Sequence, residues 1–194
     1  MPSELRFGHE LRVADGAGAG DGLPRITGYA AVFNSLSEDL DGFREKILPG
    51  AFAQIVAGND EVLALMHHST QLILGRRSKG TLSIREDRRG LSVEIIPPNT
   101  SVGRDAVESV RRGDIDGMSF RFRNAEDTWT RAGGETIRTI HRIGQLLEVT
   151  LTPIPAYPTT SARIGSESGR RDLVTPNRDM LAIRLRLAGL RGAA

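Results

Sequence analysis

The sequence predicts a mainly β protein, a β-barrel surrounded by a few α-helices (α+β if the helices are counted). Two observations lead to this fold class. Apolar and polar residues alternate over many short segments, as in half-buried strands, and turn-forming residues separate these segments. Apolar residues recur at helical spacing in only a few stretches, and no internal repeat is visible. Many short strands with one or two interposed helices favour a closed sheet.

The same patterns place the elements along the chain. A short helix should follow Pro49 and Gly50, and a longer one should end at Gly113 because glycine is a common helix stop. A hairpin is expected around residues 132–134, where two glycines follow an alanine. The longer helix is predicted at 101–112 and the main strands at 25–33, 62–66, 81–84, 91–96, 114–122, 136–142 and 145–152.

Three regions are expected from the distribution of turn and linker residues. Residues 1–24 would hold a first strand and a flexible Gly-rich segment, and residues 25–164 the folded domain. Residues 165–194 would be a mobile linker rich in Ser, Gly and Arg, followed by a short amphipathic tail.

The composition argues against several classes of protein. The chain of 194 residues has no cysteine, which excludes disulfides, thiolate metal sites and cysteine nucleophiles. Its formal net charge is only +2, and it lacks a long basic block, which argues against a nucleic-acid binder. No apolar run approaches the roughly 18 residues of a membrane span, and the N-terminus lacks the pattern of a signal peptide. A cytosolic protein is the simplest expectation.

Ser119 is the most informative candidate for a functional residue. In a strand, Ser119, Arg121 and Arg123 would share one face, which leaves an exposed hydroxyl beside two guanidinium groups. A serine becomes a useful nucleophile when a base takes its proton and positive groups hold a developing oxyanion. The opposite face of the strand would fill the core with Met118, Phe120 and Phe122.

His68 is the candidate base, because it follows an apolar strand and shares the parity of Met66. An unperturbed imidazole titrates near neutral pH, which suits a general base. The alternative is a half-buried histidine that hydrogen-bonds to the backbone. The adjacent pair His67-His68 also suggests a metal, but neighbouring strand residues point to opposite faces, so no metal site is expected.

Two residues are candidates for the group that orients this imidazole. Glu148 lies on the polar face of its strand and could stabilise a protonated histidine, although a solvated carboxylate is the ordinary alternative. His141 is the rival. The chain has neither a Gly-x-Ser-x-Gly elbow nor a phosphate-binding P-loop, which argues against an α/β-hydrolase esterase and a P-loop nucleotidase.

Four segments together resemble the prohead (procapsid maturation) proteases of tailed bacteriophages. The opening motif of that family resembles GYAAVF at 28–33 followed by FREKILPGAF at 43–52. Its histidine motif matches His68 through Gly75, and its helix and nucleophile strand match 103–120. The closing motif matches LEVT at 147–150 and the prolines that follow. The resemblance covers roughly 25–164, and it is specific because the four motifs occur in order.

The resemblance implies a serine peptidase domain at 25–164, related in fold to the herpesvirus maturation protease. It makes Ser119 the nucleophile, His68 the base and Glu148 the third member in preference to His141. Two residues depart from the common pattern. Arg121 stands where a small residue often follows Ser-Phe, and His67 stands where a polar amide often precedes the base.

The resemblance also implies partners and a location. Members of this family cut scaffold or capsid-protein extensions inside the immature shell, and often themselves, so the location would be the procapsid in the host cytoplasm. No cofactor, nucleic acid or membrane partner is expected, and the oligomeric state stays open, a dimer included. The alternative is a non-enzymatic β-barrel component of head assembly or scaffold.

Overall fold

Ten strands and two α-helices make up the part of the chain that the computed structural model describes, residues 4–9, 11–17 and 23–153. The predicted linker and tail at 165–194 lie outside these residues. The helices are α1 (Ala53–Ala57) and α2 (Ser101–Arg112). The strands are β1 (Glu4–His9), β2 (Leu11–Ala17), β3 (Pro24–Val32), β4 (Arg44–Ile47), β5 (Leu63–Met66), β6 (Ser69–Arg76), β7 (Leu82–Glu86), β8 (Gly90–Ile95), β9 (Gly117–Ala132) and β10 (Glu135–Thr152).

The strands form two sheets. The first has the order β1-β9-β10-β5-β6, and β4 pairs with the N-terminal half of β10. The second has the order β2-β3-β8-β7. The mainly β class is therefore confirmed. The strand ladders of the described residues do not join the two sheets, so the predicted closed barrel is not observed there.

The longest elements are β9 and β10, which form one antiparallel hairpin. Gly133 and Gly134 connect them, both with positive φ (61° and 88°), as a two-residue turn of the primed type requires. This confirms the predicted hairpin. The two strands predicted at 136–142 and 145–152 are instead one strand with register shifts at 140/142 and 146/148. An irregularity of this kind bends a strand without ending it.

One hydrophobic core joins the two sheets and both helices. Met118, Phe120 and Phe122 are fully buried in it, as strand parity predicted, and Phe52 from the segment before α1 packs edge-on against Phe120, with ring centroids 5.7 Å apart. Helix α2 begins and ends where the pattern placed it. Gly113 follows in a left-handed conformation, and its N–H donates to the carbonyl of Val110.

A buried ion cluster fixes β4 against the hairpin. Arg138 of β10 is 3.2 Å from the carboxylate of Glu45 in β4 and 2.5 Å from that of Asp127 in β9. Glu45 is completely buried, so its charge is balanced by this contact.

Among the described residues, no helix is long and apolar enough to span a membrane.

Candidate active site

The site is built around the turn between β5 and β6. His67 and His68 are its two central residues, and both have left-handed backbones, with φ of 53° and 59°. A two-residue hairpin turn of type I′ requires positive φ at both positions, and it usually contains Asn and Gly. Since the sequence has histidines here, the turn is strained, and strain of this kind is concentrated at functional sites.

Two hydrogen bonds fasten this turn to β10. The N–H of His67 donates to the carbonyl oxygen of Leu151 (3.1 Å), and the N–H of His68 donates to Oγ1 of Thr150 (3.0 Å). Strand β5 runs parallel to β10 with Leu65 opposite Thr150, so the turn emerges beside the C-terminal end of β10. The backbone of His68 is therefore held by a side chain of the neighbouring strand.

The imidazole of His68 contacts Glu148. Its Nδ1 lies 2.6 Å from Oε1 of the carboxylate, and both side chains are largely buried (16% and 9% exposed). A carboxylate only accepts, so Nδ1 carries the hydrogen in this contact, and Nε2 is the nitrogen that can take up a proton. Nε2 is itself shielded from solvent. The pair thus has the arrangement of a base and the group that orients it.

Ser119 lies on the same face of the first sheet as this pair. It is directly opposite Thr150 in the β9–β10 ladder, and Thr150 is two residues from Glu148, so the three side chains point to one side. Side chains opposite each other in an antiparallel ladder are about 5 Å apart at Cβ. Ser119 and His68 therefore lie on either side of Thr150.

Ser119 is completely buried, which corrects the prediction that its hydroxyl would be exposed. Strand parity correctly separated Ser119 from the core face but could not show what covers the other face. The strained turn reaches over this end of β10, and Glu148, Thr150 and Thr152 are buried there as well. Exposure returns along the strand, since Arg121 is about one-third exposed and Arg123 is exposed.

Arg121 meets the same carboxylate as the histidine. It pairs with Glu148 across the ladder, and its Nε is 3.7 Å from Oε1. The guanidinium group therefore adds positive charge beside Glu148, whereas the sequence suggested a role only at the oxyanion.

His141 is remote from this cluster. It is exposed, its Nε2 lies 2.9 Å from the hydroxyl of Thr128, and seven residues separate it from Glu148 on β10, roughly 20 Å along the strand. The structure thus brings Glu148, not His141, to His68.

His67 is the other histidine of the turn, and no group of three His, Cys, Asp or Glu side chains that could hold an ion is found among the described residues. The protein removes part of the water around its imidazole, and this desolvation, with the charge of a protonated His68, lowers the pKa of His67.

Sequence reasoning missed two features of the site. One is the register shift between Leu146 and Glu148, which buries Leu146 in the core and leaves Leu147 partly exposed. The other is Thr150, whose only sequence signal is that it shares the polar face with Glu148. A hydrogen bond to a turn distant in sequence leaves no local pattern.

Comparison with protein families gives one decisive match. The model of the caudovirus prohead serine proteases matches residues 10–172, which include Ser119, His68 and Glu148. The chain belongs to this family. The family predicted from the four motifs is therefore confirmed.

A curated relative supports the family. The prohead protease of Enterobacteria phage HK97 is 33% identical over 141 residues, which cover 71% of this chain and 58% of that protein. The chain thus spans less than two thirds of the relative's length. No solved structure matches it.

Proposed function

We propose that this chain is a serine endopeptidase of phage head maturation, which cuts scaffold or capsid-protein extensions, and itself, inside the procapsid of the infected cell. The family supports the reaction class. The observation that carries the proposal is the 2.6 Å contact between His68 and Glu148 on the face that Ser119 shares. The proposed roles are nucleophile for Ser119, general base for His68 and orienting carboxylate for Glu148.

The proposed reaction follows from the protons of this arrangement. Glu148 accepts from Nδ1 of His68, so Nε2 takes the proton of Ser119 as Oγ attacks the scissile carbonyl. Nε2 then gives this proton to the leaving amine, and a water molecule releases the acyl group by the same steps in reverse. Backbone N–H groups would hold the oxyanion, and losing one such donor typically costs about 3 to 4 kcal/mol of the barrier.

The two arginines would contribute differently in this scheme. The guanidinium group of Arg121 places positive charge 3.7 Å from Oε1 of Glu148, and from the same face it would assist the oxyanion. Arg123 is exposed and would serve the substrate groove or the oxyanion only after peptide binding.

The burial of Ser119 gives the proposal a further step. A peptide carbonyl must reach Oγ, so we infer that the residues packed over Ser119 move apart when substrate binds. A closed resting site would limit cleavage of proteins outside the shell. The relation of this fold to the herpesvirus maturation protease, with its barrel, stays a prediction.

The alternative is a non-enzymatic component of head assembly. Burying a carboxylate and an imidazole together lowers the stability of the fold, and such pairs are concentrated at functional sites, which favours the enzyme.

The predicted tail at 165–194 would tether the enzyme to scaffold or capsid protein.

Co-expression with the proposed substrate, a capsid or scaffold protein, tests the proposal. The wild-type chain should shorten the capsid or scaffold protein and create new N-termini that mass spectrometry can map. Ser119→Ala should leave them intact while keeping its circular dichroism spectrum. Ser83→Ala, on β7 of the other sheet, is the matched control and should cleave normally. Full cleavage by Ser119→Ala would overturn the assignment.

A further inference from the structure

Thr150 occupies the centre of the candidate site, although it has no role in the scheme above. It is completely buried, lies directly opposite Ser119 in the ladder, and is two residues from Glu148 on the same face. Its Oγ1 accepts the N–H of His68 at 3.0 Å. One side chain is therefore linked to the positions of all three proposed catalytic residues.

The conformation of the turn explains why such a link is needed. His67 and His68 both have positive φ, a region that residues with a Cβ avoid, so an isolated His-His segment would not keep this shape. Surrounding contacts must hold it. The bond from His67 to Leu151 uses only backbone atoms, but the bond from His68 depends on the side chain at position 150.

We propose that Thr150 is a positioning residue, whose hydroxyl fixes the main chain of His68 so that the imidazole meets Glu148 and Ser119 at once. The inference rests on the proposed function. Thr150 acts through His68 and does not touch the substrate. A threonine kept only for its strand preference is the competing explanation, because β-branched residues are favoured in strands.

Valine separates the two explanations. It has nearly the shape of threonine and an equal strand preference, but it cannot accept a hydrogen bond. Serine keeps the acceptor and loses the methyl group. If the hydroxyl matters, serine retains the function and valine loses it; if shape and strand preference matter, the order is reversed.

The first measurement is activity on the capsid protein. Thr150→Val should lower kcat about 100-fold, the order of loss that a misplaced catalytic group produces, with KM nearly unchanged. Thr150→Ser should retain most of the activity. Thr139→Val, a buried threonine on the same strand next to β4, is the matched control and should keep the wild-type kcat.

The second measurement needs no activity. In the Ser119→Ala background, amide hydrogen exchange at His68 should be faster with valine at position 150 than with threonine or serine. This readout separates the inference from the proposed function. If the wild-type chain cleaves nothing while exchange at His68 still depends on the hydroxyl, only the proposed function fails. Wild-type kcat in Thr150→Val, or unchanged exchange at His68, would overturn the inference. If Thr150→Val does not fold, Thr150→Cys takes its place, because its sulfur is only a weak hydrogen-bond acceptor. Its kcat should then be lower than that of Thr150→Ser, and exchange at His68 should be faster.

Discussion

Glu148 Oε1 is the atom on which the proposed site depends most. It accepts a hydrogen bond from Nδ1 of His68 at 2.6 Å, and Nε of Arg121 lies 3.7 Å away. A single oxygen therefore sets both the orientation and the hydrogen position of the proposed base. Because the side chain is only 9% exposed, water cannot replace its hydrogen bonds.

Glu148→Gln should reduce kcat severely with little change in fold. The amide has the same shape, but its NH₂ group can donate to Nδ1, which would place the hydrogen on Nε2 and block proton uptake from Ser119. The loss should be on the order of 10³ to 10⁴-fold, as for other triads with an amide in place of the acid. Steady-state cleavage of a capsid-protein fragment measures it.

His141→Ala is the control for this substitution. His141 is exposed and bonded to Thr128, so its removal should leave kcat unchanged. An inactive His141→Ala together with an active Glu148→Gln would show that the third member was assigned to the wrong residue.

The turn between β5 and β6 is the element with the most unusual backbone, because both of its central residues have positive φ. The proposed base has a left-handed backbone, which suits asparagine and glycine better than histidine in a type I′ turn, and the preceding residue shares it. Asparagine is strongly preferred at the first central position of such a turn. The structure thus gives a conformational reason to expect a gain in stability from asparagine at position 67.

His67→Asn should therefore raise the free energy of unfolding, by up to about 1 kcal/mol. The gain should grow as the pH falls. The pKa of His67 is lowered in the folded state, so the unfolded chain binds the proton first as the pH falls. The stability that His67 contributes above about pH 6.5 is therefore lost as the pH falls below 6.5 towards the lowered pKa of the folded state. Asparagine carries no such proton.

Urea denaturation at pH 7.5 and pH 5.5 checks this prediction. His141→Asn, on the exposed face of β10 without a positive φ, is the matched control and should bring no gain. A less stable His67→Asn at both values of pH would show that His67 makes a contact worth more than the strain it introduces.

Elements were predictable where the pattern is local. Helix α2 has its predicted bounds because apolar spacing and Gly113 are sequence features. The register shift beside Leu147 and the left-handed turn at His67-His68 were not predictable, because both are imposed by neighbouring strands. The single strand β10 was predicted as two for the same reason: nothing local shows that Gly144 lies inside a ladder.

The whole molecule assembles the candidate site from three distant segments. His68, Ser119 and Glu148 come from the β5–β6 turn, β9 and β10, and only the order of strands in the first sheet brings them together. The sequence placed each residue at a strand face or end, and the family motifs grouped them. Distances, the cover over Ser119 and the division into two sheets depend on tertiary packing, so no single segment could predict them.

A peptide phosphonate built on a capsid-protein cleavage sequence tests the assembled site most directly, since it binds as a substrate does and its reaction requires the nucleophile and base to cooperate. The wild-type chain should gain one phosphonyl group, and peptide mapping should place it on Ser119. His68→Ala should stay unlabelled under the same conditions, although Ser119 is present in it. Equal labelling of both proteins, or no labelling of the wild-type chain, would contradict a catalytic pair of Ser119 and His68.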